Sequence, residues 1–249
     1  MPNKKENLLQ AYQNRLNDEE LVYKKIQEPS NKQIFIPLLH GTNQILGLYD
    51  LFIENDICKA KQHFYLCARI DEYMINNFDS RILDAGINHL SYALLSDCIP
   101  LMKRYAKLSH SQYKWMIENG HSTPLYILQQ MMLDNWDQVA WGIDIMDKKT
   151  IKRHKLLIAD RDFYEGMLNK DKNQIQDSIN KILKAHKTRN KHYQLINEFI
   201  SHPALGYIKL AWLKNIEINI DHPLIPKELL PYKPLDRYEE TYSFLNDSV

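Results

Sequence analysis

The sequence predicts an all-α protein, an array of helical hairpins repeating every 37–41 residues and followed by an extended, proline-rich C-terminal tail. Three observations predict it. Only 7 glycines and 3 valines occur in 249 residues while Leu, Ile, Lys, Gln and Asn abound, a balance that favours helices over sandwiches and barrels. A phrase recurs four times, made of an apolar helix end, a short polar turn with an aspartate, and a second amphipathic stretch: LFIENDICKAKQHF at 51–64, ALLSDCIPLMKRYAKL at 93–108, MMLDNWDQVAWGI at 131–143 and MLNKDKNQIQDSI at 167–179. Its aspartates Asp56, Asp97, Asp134 and Asp171 lie 41, 37 and 37 residues apart, the period of helical-hairpin arrays. Lastly, apolar residues after these turns fall at helical spacing.

Residues 1–40 are read as N-terminal helices, near 7–16 and 19–27, and residues 41–185 as four hairpins. Each repeat aspartate is expected at a helix N-cap, where its carboxylate accepts from unpaired first-turn N–H groups and meets the positive end of the dipole. After Asp171, Ile175, Ile179, Ile182 and Leu183 make one apolar stripe, with Gln174 placed as a capping-box partner. After Asp97, Pro100 falls in the first turn, where a missing N–H is harmless, and Leu101, Met102, Tyr105 and Leu108 continue the face. Further helices are expected at 71–77 and 111–119, with a break from Gly120 to Pro124. Residues 186–215 should hold the C-terminal helices, one over 186–200 and another whose face is Ala204, Tyr207, Ile208, Ala211 and Trp212. In the tail, 216–249, IEINI alternates as a strand would but has no partner, and Pro223, Pro226, Pro231 and Pro234 allow at most one helical turn around 227–230. No linker divides the chain, so one domain over 1–249 is expected.

Composition excludes several functions. Charged residues are 25% of the chain at a net charge of +1, which is neither the disordered signature nor the basic excess of a nucleic-acid binder. No apolar run is long enough for a membrane span, and no signal-peptide core or lipidation motif is visible, so a cytoplasmic protein is expected. Three cysteines, Cys58, Cys67 and Cys98, in apolar windows suit reduced, buried thiols. Charge is uneven nonetheless: residues 148–192 hold 13 Lys and Arg against 5 Asp and Glu, net +8, on a body of −7.

Motifs of chemistry are missing. None of the ten histidines pairs as HExxH or HxH, and His186 and His192 point apart on a helix, so no metal site is expected. No phosphate-binding glycine loop occurs, and no cofactor is expected. Cys67 shares a face with Ala60, Phe64 and Ala68, where a small apolar residue packs, and Asp160 and Asp162 look like caps ahead of Phe163. Trp136, placed in a turn, is either a recognition anchor or a cover for the hairpin core. The basic run KKTIKRHK at 148–155 reads as a solvated face able to steer a partner. Candidate partner contacts are therefore Trp136, Lys152, Arg153, Lys170 and Lys172.

The run FYEGMLNKDKNQIQDSINKIL at 163–183, followed by HPALGYIKLAWLKNIEINIDHPLIPKELLPYKPLDRY at 202–238, resembles a helical family of immunity proteins from bacterial polymorphic toxin systems, immunity protein forty-nine. The resemblance rests on the Phe-Tyr, the Leu-x-x-Asp turn, Pro-Ala-Leu-Gly-Tyr, Ala-Trp and Pro-x-x-Leu-Leu-Pro. It implies a non-enzymatic cytosolic antitoxin that binds and blocks a cognate toxin effector, and it assigns no contact residues. A repeat-type adaptor for peptides or other proteins is the alternative, and an enzyme using Cys67, Cys98 or the histidines a third reading. Oligomeric state stays open.

Overall fold

Helix makes up 74% of the structure, a computed structural model that describes residues 3–189 and 194–246, and no strand occurs among the described residues. The helices are α1 (Lys4–Lys25), α2 (Lys32–Tyr49), α3 (Ile57–Phe78), α4 (Ile87–Leu95), α5 (Ile99–Tyr105), α6 (Tyr113–Glu118), α7 (Thr123–Met132), α8 (Trp136–Ile145), the single turn α9 (Ile151–Arg153), α10 (Ile158–Asn169), α11 (Lys172–Lys184), the short α12 (His186–Arg189) and α13 (Gln194–Asn197), and α14 (His202–Leu213). The two N-terminal helices expected from sequence are one, because Asn17 and Asp18 pass through its middle without a break; Asn3 and Glu6 close it with a capping box. Residues 71–77 are only the end of α3, which is buried through most of its length. The helix expected over 186–200 shows its ends as α12 and α13; residues 190–193, His192 among them, lie outside the described residues.

All four repeat turns share one backbone device. A residue in the left-handed region, Asn55, Asp97, Asp134 or Lys170, directly precedes the N-cap, which is Asp56, Cys98, Asn135 or Asp171. Asp56 and Asp171 cap as expected, the latter accepting from the amides of Asn173 and Gln174, although the Gln174 side chain donates to Glu165 rather than back to the cap. Asp97 and Asp134 do not cap. Asp is among the few residues that accept either a left-handed conformation or a cap position, so the same letter serves two places one residue apart. Freed from capping, both carboxylates reach lysines: Asp134 meets Lys214 just after α14 at 2.6 Å, and Asp97 meets Lys209 on α14 at 2.6 Å and Lys61 on α3 at 2.7 Å.

One apolar cluster extends from Leu8 to Leu245. α2 packs along α3, α3 on α4, and α4 on α14, which also meets α11; α7 and α8 pair, and α8 leads through α10 to α11. Among the described residues, no α-helix follows α14. Ile218 and Ile220 turn inward while Glu217 and Asn219 face solvent, which is the alternation read from IEINI, here laid on helices with Trp212 donating its indole N–H to the Ile218 carbonyl. The segment then follows α3 in the same direction: Gln62 donates to the Glu239 carbonyl, Arg69 to Glu240 and the Leu245 carbonyl, and Tyr73 meets Phe244 edge-on.

The Asp97 turn holds this segment down. Lys209, on α14, donates to the carbonyls of Leu229, Leu230 and Pro231, and Lys61, on α3, to that of Lys233. The Lys233 amide donates to Asp97, and the hydroxyls of Tyr232 and Tyr238 donate to the Asp97 and Ser96 carbonyls. A buried carboxylate thus neutralises two buried ammoniums, whose remaining protons satisfy a stretch of backbone that prolines bar from forming a helix. Burial pulls the Lys209 ammonium below the usual lysine range against the pull of Asp97.

Candidate functional site

Of the residues singled out in the sequence, Trp136 is the first residue of α8, half-buried against the core, rather than a turn residue. It stands three residues before Val139 and seven before Ile143, in phase with the buried stripe, so part of its ring packs against the core. Lys152 and Arg153 are exposed on α9, Lys170 is exposed in the α10–α11 turn and Lys172 is exposed at the start of α11. In sequence the two pairs lie on either side of α10, whose 12 residues span about 18 Å. Arg153 is a clamp on the loop after α6, donating to the carbonyls of Lys149 and Asn119 and meeting His121 Nε2 at 3.2 Å. Lys149 donates to the Glu118 carbonyl, so two cations answer the negative C-terminal end of α6.

That clamp borders a surface the sequence reading missed. Trp115 on α6 is 58% exposed and lies parallel to the His121 ring, and Trp141 on α8 is 41% exposed with Tyr126 at its edge. Between α6 and α8 opens a groove of about 660 Å³ lined by Lys107, Tyr113, Lys114, Tyr126, Gln130 and Trp141. Its floor is fixed by hydrogen bonds: Gln129 donates to the carbonyls of Tyr105 and Leu108 and accepts from the Tyr113 hydroxyl, and Tyr126 donates to Gln138. Trp141 falls five residues beyond Trp136, roughly 140° around the helix, and so faces solvent. Helical phase measured from Val139 would have separated the two tryptophans.

Gly142 brings α7 and α8 together beneath this face. A Cβ there would stand 2.5 Å from Ile127 Cγ1, an inner atom of a buried side chain. Gly142→Ala should cost about 1–3 kcal/mol of stability through overpacking, measured as a lower urea midpoint, whereas Gly41→Ala, with open space around the new carbon, should not.

A second cleft, of about 340 Å³, lies between the loop before α4 and α10. Asp160, expected as a cap, sits inside it: Arg189 donates two hydrogen bonds of 2.7 Å to its carboxylate, and the Tyr207 hydroxyl adds one of 2.6 Å. Its charge is spent on joining α10 to α12 and α14. Asp162 pairs with Lys181 at 3.3 Å and is likewise no cap.

The cysteines divide. Cys67 and Cys98 are buried, as expected, and Cys58 is exposed. Burial pushes the Cys67 thiol well up, away from the thiolate that nucleophilic chemistry needs. The histidines, by contrast, converge in space as they do not in sequence. His40 on α2, Asp71 on α3 and His89 on α4 bring one ligand atom each to within 4.8 Å of the others, a set that could hold a metal ion. His89 Nδ1 lies 2.9 Å from Asp71 Oδ2, the Tyr105 hydroxyl donates to the same oxygen at 3.2 Å, and the His40 and His89 rings stack at 4.4 Å. Spacing rules see only ligands close together in the chain, and these come from three helices.

Tyr92 separates His40 from a further buried histidine, His202 at the start of α14. Burial drives His202 down to about 3 and His40 to about 4, with their mutual repulsion and that of His89 adding to the His202 effect. Because the unfolded chain takes up these protons near the ordinary 6.5 and the folded chain does not, the stability is fully present above 6.5 and is lost as pH falls. Each such histidine contributes a slope of about 1.4 kcal/mol per pH unit between its unfolded and folded values. Urea unfolding in the presence of a chelator should therefore show the wild type losing about 2 kcal/mol more than His202→Gln between pH 6.5 and 5.

No curated protein and no solved structure matches the chain. The family model described as Immunity protein 49 matches residues 54–229, from the first repeat turn through α14 to the segment held by Lys209. That span covers well over half of the chain and contains the phrases that carry the resemblance up to the start of Pro-x-x-Leu-Leu-Pro at 226, and on it the chain belongs to the Immunity protein 49 family.

Proposed function

We propose that the protein is an antitoxin that protects its host by binding a cognate toxin one to one in the cytoplasm, through the face built by α6, α7 and α8. One observation carries the choice of face. Two large tryptophans are exposed beside a groove whose floor is already hydrogen-bonded, and aromatic residues at rigid grooves supply most of the binding energy in protein interfaces. Family membership supports the immunity role.

Lys149, through the Glu118 carbonyl, and Arg153, through His121 beside Trp115, border the same face, and Lys107 and Lys114 line its groove. The toxin surface that fits is acidic with apolar pockets for the two indoles. Opposite charges at such a rim mainly raise the association rate. Purified protein and toxin should therefore associate several-fold more slowly when salt is raised from 50 to 500 mM, with a much smaller change in the dissociation rate. An association rate indifferent to salt would remove the basic rim from the interface.

A further inference from the structure

We propose that His40, Asp71 and His89 form a binding site for one divalent first-row transition-metal ion of the zinc type, stapling α2, α3 and α4 together. His40 Nε2 and Asp71 Oδ1 face each other at 3.6 Å, and both are buried without a hydrogen-bond partner. That gap is too long for an N–H···O bond, which spans about 2.7–3.2 Å. It is too short for a bridging water, since two hydrogen bonds of about 2.8 Å at a tetrahedral angle hold their ends about 4.6 Å apart. An ion about 2.0–2.1 Å from each atom in tetrahedral geometry sets them about 3.3 Å apart, which a small side-chain adjustment reaches.

The donor set is two imidazoles and one carboxylate, the nitrogen and oxygen mixture that zinc, cobalt and nickel accept and that calcium and magnesium do not prefer. Tyr105 holds the Asp71 carboxylate from behind, as outer partners of metal ligands do. The His89 side chain is 19% exposed, against 1% for Asp71, so ion and a completing water enter from that side. The site is separate from the α6–α8 groove, and its function does not depend on toxin binding.

The test uses the full chain, stripped with a chelator and titrated with Co²⁺, then displaced with Zn²⁺. The expected result is one equivalent per chain with the visible absorption of low-coordinate cobalt, and a melting temperature that rises with added Zn²⁺. His40→Gln and His89→Gln should each weaken binding at least tenfold while keeping the helical circular dichroism. His89, partly exposed, provides the decisive variant if His40→Gln does not fold. No saturable binding in the wild type below about 100 μM metal, or equal affinity in wild type and His89→Gln, would overturn the proposal.

Discussion

Asp97→Asn should lower the stability of the protein by about 3–5 kcal/mol, the range for removing one partner of a buried charge pair. The carboxylate is the shared counter-charge of Lys61 and Lys209, whose side chains are 3% and 1% exposed, and the asparagine amide cannot replace it. Both ammoniums would stay buried or pull out, and either course loosens the carbonyls of Leu229, Leu230, Pro231 and Lys233 that they hold. Urea unfolding followed by circular dichroism measures the loss. Limited proteolysis locates it, because cleavage should appear first between Leu224 and Tyr238. Asp134→Asn is the matched control: its pair with Lys214 is exposed on the aspartate side, and exposed pairs contribute about 1 kcal/mol or less. Equal losses for the two variants would mean that the Asp97 cluster does not anchor the tail.

Trp115→Ala and Trp141→Ala should each weaken toxin binding by about 2 kcal/mol or more, roughly thirty-fold in Kd, while leaving the fold intact. Both indoles stand largely outside the core, so truncation should change stability by less than about 1 kcal/mol. Trp136→Ala should behave in the opposite way, because that ring packs against the core at the start of α8. It should lose stability and leave toxin affinity nearly unchanged. Titration calorimetry with the purified toxin, paired with thermal melts of each variant, separates the two behaviours.

What the sequence carries, and what it hides, follows from the range of each interaction. The stripe of Ile175, Ile179, Ile182 and Leu183 is legible because a one-sided helix writes its packing into local spacing, and all four are buried. Asp171 is legible as a cap for the same reason. Asp97 is not: a cap and the left-handed residue before it use the same amino acid one position apart, and only the buried lysines of α3 and α14 decide which it is. Asp160 misleads likewise, since Arg189 claims it from α12. The exposed Trp141 was within reach of helical phase measured from Val139, but reading Trp136 as a turn residue leaves it outside the helix whose phase separates the two. The His40–Asp71–His89 cluster leaves no trace in spacing, because three helices contribute one ligand each.

The most direct measurement is co-expression of the protein with the toxin encoded beside it, scoring survival and then the stoichiometry of the complex that co-purifies. Inhibition by binding predicts survival with a stable one-to-one complex, and loss of both in the Trp115→Ala, Trp141→Ala double variant. Survival with no complex, or no survival with both proteins folded and present, would contradict it.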